Sequence, residues 1–124
     1  MRLRILMLGA AAVLVAATTA EAAGNAANGK KVFARCALCH NDANGAGNKI
    51  GPDLFGVAGR KAGTAPGYSY SAAMKSAGFD WTDDRLDAFL KSPSTVVPGT
   101  KMAFAGLSSD SDRADLIAYL DTLK

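Results

Sequence analysis

The residues with the clearest capacity for chemistry are two cysteines and a histidine in one short run, Cys36-Ala37-Leu38-Cys39-His40. This Cys-x-x-Cys-His spacing is typical of c-type haem attachment. Two thiols one helical turn apart can add to the two vinyl groups of one porphyrin, and the adjacent imidazole then points at the iron. The run therefore predicts one covalent haem c per chain, with His40 as an axial ligand.

Two other interpretations of the paired cysteines remain open from the residues alone. A thioredoxin-like dithiol uses the same Cys-x-x-Cys spacing, but it needs an α/β scaffold that this sequence does not indicate. A structural zinc site needs four protein ligands, and the chain has only two cysteines and one histidine unless a carboxylate joins them. Haem attachment accounts for all three residues at once.

A second axial ligand has to come from elsewhere in the chain. Beyond the amino-terminal segment, only Met74 and Met102 offer a thioether. Met74 lies in an alanine-rich stretch with a helical pattern, where methionine is more often a core residue. Met102 lies in the loop sequence Pro98 to Phe104, where turn residues leave it free to approach the haem. The sequence favours Met102.

Length and composition exclude several classes of protein. The chain has 124 residues, 49% of them hydrophobic and 20% charged, with a formal charge of +3. One histidine and two cysteines cannot build a multi-histidine catalytic site or a multi-disulfide scaffold. The apolar content is too high for a disordered chain. A single small domain remains.

The amino terminus has the three-part layout of a secretory signal peptide. Arg2 and Arg4 precede an apolar stretch from Ile5 to Ala17, and small residues follow at Ala20-Glu21-Ala22. The apolar run is too short for an ordinary membrane span. We therefore expect cleavage of residues 1–22, a single domain over residues 23–124, a periplasmic location and no stable membrane insertion after processing.

The elements that must position the motif are predicted to be helices at both ends of the domain. Apolar and small residues recur at intervals of three and four from Ala26 to His40, which indicates a helix. A second amphipathic helix is predicted over Ser109 to Lys124, with Leu116, Ile117, Leu120 and Leu123 inward.

Between them lies a loop-rich region followed by short helices. Seven glycines and two prolines between Asn44 and Gly67 indicate irregular backbone. A short helix is predicted over Ser71 to Ala77, and another begins after Thr82 and stops at Pro93. No alternating strand pattern of any length is present, so the elements predicted from the residues are helices and loops.

In these motifs the chain resembles the class I c-type cytochromes, and within them the mitochondrial-type cytochromes c and their bacterial periplasmic counterparts. The resemblance implies a small all-α fold around one covalent haem, with His40 and Met102 as axial ligands. It also implies that the terminal helices cross near Gly29, Phe33, Leu116 and Tyr119. It rests on Cys36 to His40, Gly51 to Leu54, Gly59 to Gly63 with Ala65 to Tyr70, Trp81, and Pro98 to Phe104.

Further roles are implied by the same resemblance. The carbonyl of Pro52 is expected to accept a hydrogen bond from the second ring nitrogen of His40, which orients the imidazole. The other residues implied to contact the haem or its propionates are Arg60, Tyr70, Trp81, Thr100 and Phe104.

The chain also departs from the mitochondrial pattern near the expected haem. Met74 stands where that pattern has an internal asparagine, and Phe89 stands where it has a tyrosine close to the methionine ligand. We expect a thinner polar network on that side of the haem.

The resemblance implies a soluble monohaem electron carrier of the respiratory chain and not an enzyme. Its electron donor would be a quinol-oxidising cytochrome complex or a dehydrogenase, and its acceptor a terminal oxidase or reaction centre. Two alternatives stay open: a peroxidase or gas sensor with a labile methionine ligand, and a dedicated cytochrome subunit of one periplasmic dehydrogenase. We expect a monomer that binds redox proteins and no nucleic acid.

The charges are distributed unevenly, which predicts docking to acidic partner surfaces. Basic residues flank the haem-related segments, namely Lys30, Lys31, Arg35, Lys49 and Lys101. Acidic residues gather in the later helices, namely Asp80, Asp83, Asp84, Asp87, Asp110, Asp112, Asp115 and Asp121.

Overall fold

The computed structural model of the chain describes residues 9–14 and 24–124. Within these ranges it contains helices and an isolated bridge between Lys61 and Asp80, but no strand, so the all-α prediction is confirmed. The helices are α1 (Ala26–Phe33), α2 (Ala72–Lys75), α3 (Asp83–Lys91), α4 (Pro93–Val96) and α5 (Asp110–Asp121). Of the predicted signal peptide, only residues 9–14 are described, and these are exposed and irregular; its remainder lies outside the described residues. None of the described helices combines the length and the apolar character needed to cross a membrane.

The first and last helices of the domain cross where the family resemblance implies. Gly29 of α1 touches the backbone of α5, and a Cβ atom at this position would lie 1.9 Å from the carbonyl oxygen of Asp115. Phe33 packs on Tyr119, with 5.6 Å between their ring centroids. Leu116 is almost completely buried, with 1% of its surface exposed. The crossing is close because glycine presents no side chain to α5.

A carboxylate of α5 also fixes the start of α1. The two oxygens of Asp115 accept hydrogen bonds from the backbone N–H of Asn25 at 2.7 Å and the side-chain amide of Asn28 at 2.6 Å. The bond from Asn25, with a second contribution from Asn28, lowers the pKa of Asp115. This pairing sets the position of α1 along α5.

The α-helix over Ala26 to His40 is shorter than predicted, because α1 ends at Phe33. The chain then continues in tighter turns, in which Cys36 N donates to Phe33 O at 2.7 Å and Cys39 N donates to Cys36 O at 3.0 Å. These three-residue bonds occur beside α-type bonds that span four residues, from Ala37 N to Phe33 O and from His40 N to Cys36 O, both at 2.9 Å, so the winding mixes 3₁₀ and α turns. Spacings of three and four in a sequence cannot separate the two kinds of turn.

The middle helices begin at hydroxyl caps. Ser71 accepts a hydrogen bond from the N–H of Met74, and Thr82 accepts one from the N–H of Arg85. The interpretation of Pro93 as only a stop signal is incomplete. Helix α3 ends at Lys91, and Pro93 then occupies the first turn of α4, where proline's missing N–H is not needed.

The core combines the predicted apolar residues with one unpredicted cation. Leu116, Ile117 and Leu120 of α5 are buried as expected, whereas Leu123 is half-buried. The remaining buried large side chains come from α1, α3 and the loops, including Phe33, Val57, Trp81, Leu86, Phe89, Leu90, Val97 and Leu107. Arg113 is also buried, with 3% of its surface exposed, although it had no assigned role in the sequence.

Candidate functional site

A cavity of about 640 Å³ opens between the haem-type motif, the glycine-rich loop, α3 and the Met102 loop, which we define as residues 97–109. This volume is within the usual range for small-molecule and cofactor sites. Most of the walls are apolar, with contributions from Leu54, Val57, Leu86, Phe89, Leu90 and Leu120. All ten residues predicted to bind or contact the cofactor line this one cavity, namely Cys36, Cys39, His40, Pro52, Arg60, Tyr70, Trp81, Thr100, Met102 and Phe104.

The two cysteines lie on the same wall of the cavity as unbridged thiols. Both are half-buried. Burial raises the pKa of the Cys36 thiol, while the nearby Arg35 opposes the shift and Cys39 adds to it. The structure presents two unbridged thiols, one turn apart, to whatever occupies the cavity. The all-α architecture disfavours the thioredoxin-like interpretation, which requires an α/β scaffold.

His40 is held in one orientation by backbone groups. Its Nδ1 atom donates to the carbonyl of Pro52 at 2.7 Å, which leaves Nε2 as the free ring nitrogen. Its ring lies against Gly51, where a Cβ atom would come within 2.3 Å of the imidazole. Burial lowers the pKa of His40, the bond to Pro52 opposes this, and Lys49 adds to the lowering. A neutral imidazole with one oriented nitrogen suits metal ligation.

Met102 reaches the cavity from a loop that is fixed mainly at its ends. On the amino-terminal side, the ammonium group of Lys101 donates to the carbonyl of Ser69, and Met102 N donates to Thr100 Oγ1 at 3.3 Å. On the carboxyl-terminal side, Leu107 N donates to Leu90 O at 2.8 Å. Met74 of α2 also lines the cavity, so both candidate thioethers border the same space.

Hydrogen-bond donors stand at intervals along the apolar wall. Tyr70 accepts a bond from Ala65 N at 2.9 Å, which leaves its own O–H free to donate. The indole N–H of Trp81 makes no hydrogen bond to another described residue. Arg60 donates to the carbonyls of Phe55 and Asp53, at 3.1 and 3.3 Å. Free O–H and N–H groups in an apolar cavity suit a ligand that carries carboxylates, because a buried carboxylate needs donors.

The replacements at positions 74 and 89 leave an apolar surface on this side of the cavity. Phe89 is buried, and its ring lies 4.8 Å from that of Trp81. Trp81 in turn packs edge-on against Phe79 at 4.9 Å. Thr100 supplies a hydroxyl close to the Met102 backbone.

Sequence reasoning missed several residues around the site. Leu38 and Ile50 line the cavity, yet 76% of each side chain is exposed to solvent, so they stand at the mouth. Leu38 occupies one of the two unspecified positions of the Cys-x-x-Cys-His motif, so its residue type did not indicate a role in the site. Its exposure depends on how the later loops fold around the motif. Arg35 and Lys101 line the cavity as well.

The residues present fit one haem c. The cavity has a suitable volume and an apolar wall, and two thiols lie on that wall. An oriented imidazole and a thioether are available as axial donors, and free donors are available for the propionates. One thiol pair and two neutral axial donors match the chemistry of covalent haem ligation.

Comparison with known proteins gives a consistent result. The family model described as Cytochrome c matches residues 26–124. A cytochrome c from Euglena viridis is 52% identical over 102 residues, covering 82% of this chain and 99% of the relative. A cytochrome c2 from Rhodomicrobium vannielii is 47% identical over 120 residues, covering 97% of this chain and 94% of the relative.

A solved structure shows the same similarity in three dimensions. Cytochrome cH from Methylobacterium extorquens superposes with a TM-score of 0.76 at 47% sequence identity. The match covers 80% of this chain and 99% of that protein. Sequence and fold therefore agree over the described domain.

Proposed function

The chain belongs to the cytochrome c family, whose members carry one covalent haem c, and from this premise we propose that it carries electrons between proteins in the periplasm. Its place as a class I monohaem electron carrier follows from the family. The periplasmic location, the partners and the individual residue roles are the proposal. The observation that carries it is a single apolar cavity bordered by both candidate axial donors, His40 and Met102.

Cys36 and Cys39 would hold the cofactor covalently, while His40 and Met102 would bind the iron from its two sides. The haem supplies a reversible one-electron change between its ferric and ferrous states. The protein side chains exclude water from the cavity, and a thioether ligand favours the ferrous state. With both donors bound, the iron would have no position left for a substrate, so electron transfer is the simplest activity.

The remaining predicted residues have roles in orientation and charge. The carbonyl of Pro52 fixes the His40 ring through the 2.7 Å hydrogen bond. The free O–H of Tyr70 and the indole N–H of Trp81 would donate to the propionates, with Arg60 supplying positive charge. Thr100 would support the Met102 loop through its bond to the Met102 N–H and offer its own hydroxyl to a propionate.

The mouth of the cavity is a suitable docking surface for an acidic partner. The exposed side chains of Leu38 and Ile50 form its apolar centre. Lys49 donates to the carbonyl of Ala37 at 2.8 Å, which places its charge beside this centre. Arg35 and Lys101 border the cavity and are also exposed. Cations around a small apolar centre favour fast association with an acidic surface.

We expect the oxidation rate of the reduced protein by hexacyanoferrate(III), an anionic one-electron acceptor, to fall about 10-fold or more between low and high salt. Lys49→Gln should lower the oxidation rate at low salt and make the rate less dependent on salt, because it removes a cation at the mouth of the cavity. Lys91→Gln is the control, since it removes the same charge from α3, away from the cavity. Stopped-flow kinetics over a range of ionic strengths measures both. A rate that does not depend on salt, or equal effects of the two variants, would contradict this docking surface.

Export is supported by the layout of residues 1–22, with two arginines, an apolar stretch and small residues before the domain. The donor would be a quinol-oxidising cytochrome complex or a dehydrogenase, and the acceptor a terminal oxidase or reaction centre. A single domain with a small docking surface is consistent with a monomer that exchanges partners.

One observation favours a second candidate, a dedicated subunit of a periplasmic dehydrogenase. Leu38 and Ile50 are large apolar residues left exposed at the mouth, and a permanent interface would cover them. However, stable interfaces bury roughly 1,200–2,000 Å² in total, far more than two side chains provide. Transient exchange of partners therefore agrees better with this surface.

A further inference from the structure

The position of Met102 depends on a buried arginine that has no contact with the cavity. Arg113 lies in the first turns of α5, and it is the one charged side chain buried among residues 9–14 and 24–124. A cation removed from water needs several acceptors, because desolvation is costly. The partners of Arg113 therefore indicate what it holds in place.

The guanidinium group joins three parts of the chain. Its Nε atom donates to the carboxylate of Asp87 in α3 at 2.8 Å, and Nη2 donates to the carboxylate of Asp110 at the start of α5. Its Nη1 atom donates to the carbonyls of Leu107 and Ser108, at 2.8 and 3.2 Å. Both carbonyls belong to the carboxyl-terminal end of the Met102 loop.

The ion pairs with Asp87 and Asp110 do not explain why Arg113 is buried in the core. Asp87 is half exposed and Asp110 is largely exposed, so both carboxylates could remain solvated without Arg113. The two loop carbonyls are the neutral partners. Both accept hydrogen bonds from the same Nη1 atom of the rigid, planar guanidinium group. This arrangement fixes the path of the backbone at Leu107 and Ser108.

The loop between Met102 and this cluster has little support of its own. The N–H and C=O groups of residues 103–106 make no hydrogen bond to another described residue. Leu107 N bonds to Leu90 O, and Gly106 lies so close to α3 that a Cβ atom would be 2.2 Å from Lys91 O. The carboxyl-terminal half of the loop is thus held at 106–108, four to six residues after Met102.

We infer that Arg113 is a positioning residue for the axial ligand: its bonds to Leu107 and Ser108 keep the Met102 loop closed over the cavity. This inference rests on the proposed function, because it takes Met102 as the ligand. Loss of the bonds opens the loop locally, so that the thioether leaves the iron more often while α1 and α5 remain packed. An external ligand can then enter on this side.

The test uses the haem-loaded protein and imidazole as the entering ligand. In Arg113→Met, we expect imidazole binding to the ferric protein to be about 10- to 100-fold faster, the range expected for lost hydrogen bonds to a charged group. Arg113→Lys keeps the positive charge but loses the planar guanidinium group, so its rate of imidazole binding should lie between those of the wild type and Arg113→Met. Asp87→Asn removes one exposed anchor and should give a smaller increase in the same direction; it also serves if Arg113→Met does not fold.

Two further measurements separate positioning from general stability. Leu116→Ala removes a buried side chain of α5 and leaves the bonds from Arg113 to the loop in place, so at equal loss of stability it should accelerate imidazole binding much less. Amide hydrogen exchange should become faster at the hydrogen-bonded N–H groups of Met102 and Leu107 in Arg113→Lys and stay unchanged in α1. This readout remains valid even if the axial ligand is not Met102, so it can fail independently of the proposed function. Unchanged imidazole rates and loop exchange in the Arg113 variants, or an equal acceleration in Leu116→Ala, would overturn the inference.

Discussion

Replacing both cysteines, Cys36→Ala with Cys39→Ala, is expected to abolish covalent attachment of the haem completely. The two thiols lie on one wall of the cavity and are not joined to each other, and the chain has no other cysteine. Each single variant should keep one thioether bond. The double variant can hold the haem only through its axial ligands and the apolar wall.

Mass spectrometry under denaturing conditions measures this directly. The wild-type polypeptide and the single variants should carry the mass of the haem, whereas the double variant should not. Ala37→Ser is a suitable control, because it changes an exposed residue within the same run and leaves both thiols in place. Haem retained by the denatured double variant would show that another residue forms the covalent link.

The second large effect is expected at the crossing of the terminal helices. Gly29→Ala would place a Cβ atom 1.9 Å from the Asp115 carbonyl oxygen and 2.8 Å from Tyr119 Cβ. Because the first contact is with backbone, α1 and α5 must move apart. Overpacking of this kind typically lowers the free energy of unfolding by 1–3 kcal/mol, and we expect a loss of about 3 kcal/mol.

The sign of this effect distinguishes packing from helix propensity. In an exposed helix interior, glycine to alanine stabilises by roughly 0.5–1 kcal/mol. The close crossing predicts the opposite sign for Gly29→Ala. Lys30→Ala, on the exposed side of α1, should change stability by less than about 0.5 kcal/mol. Denaturant unfolding of the haem-loaded protein measures both variants, and an unchanged or raised stability in Gly29→Ala would contradict the crossing.

Local signals in the sequence predicted residues that the structure brings together in the candidate site. The five adjacent residues Cys36 to His40 contain both the thiols and the imidazole that haem attachment requires. Ser71 and Thr82 cap the helices that follow them, as their residue types predict. The predicted hydrogen bond from His40 to the Pro52 carbonyl is present. These features depend on neighbours in the chain, or on motifs specific enough to identify the family.

Features that depend on distant contacts could not be predicted in this way. Helical spacing continues past Phe33, so the change to tighter turns had no signal in the sequence. Arg113 reads as a solvated charge on a helix, because its four acceptors meet only after α3, the Met102 loop and α5 have packed. The exposure of Leu38 is likewise set by loops from elsewhere in the chain.

The most direct test of the account is the optical spectrum of the exported, haem-loaded protein in both oxidation states, combined with carbon monoxide. The account predicts a methionine-to-iron charge-transfer band in the oxidised protein, its loss in Met102→Ala, and no binding of carbon monoxide by the reduced wild-type protein. A band that persists in Met102→Ala and disappears in Met74→Ala would show that Met74 is the ligand, which would contradict the account. Absence of the band with ready binding of carbon monoxide would contradict a closed electron carrier and favour a peroxidase or gas sensor.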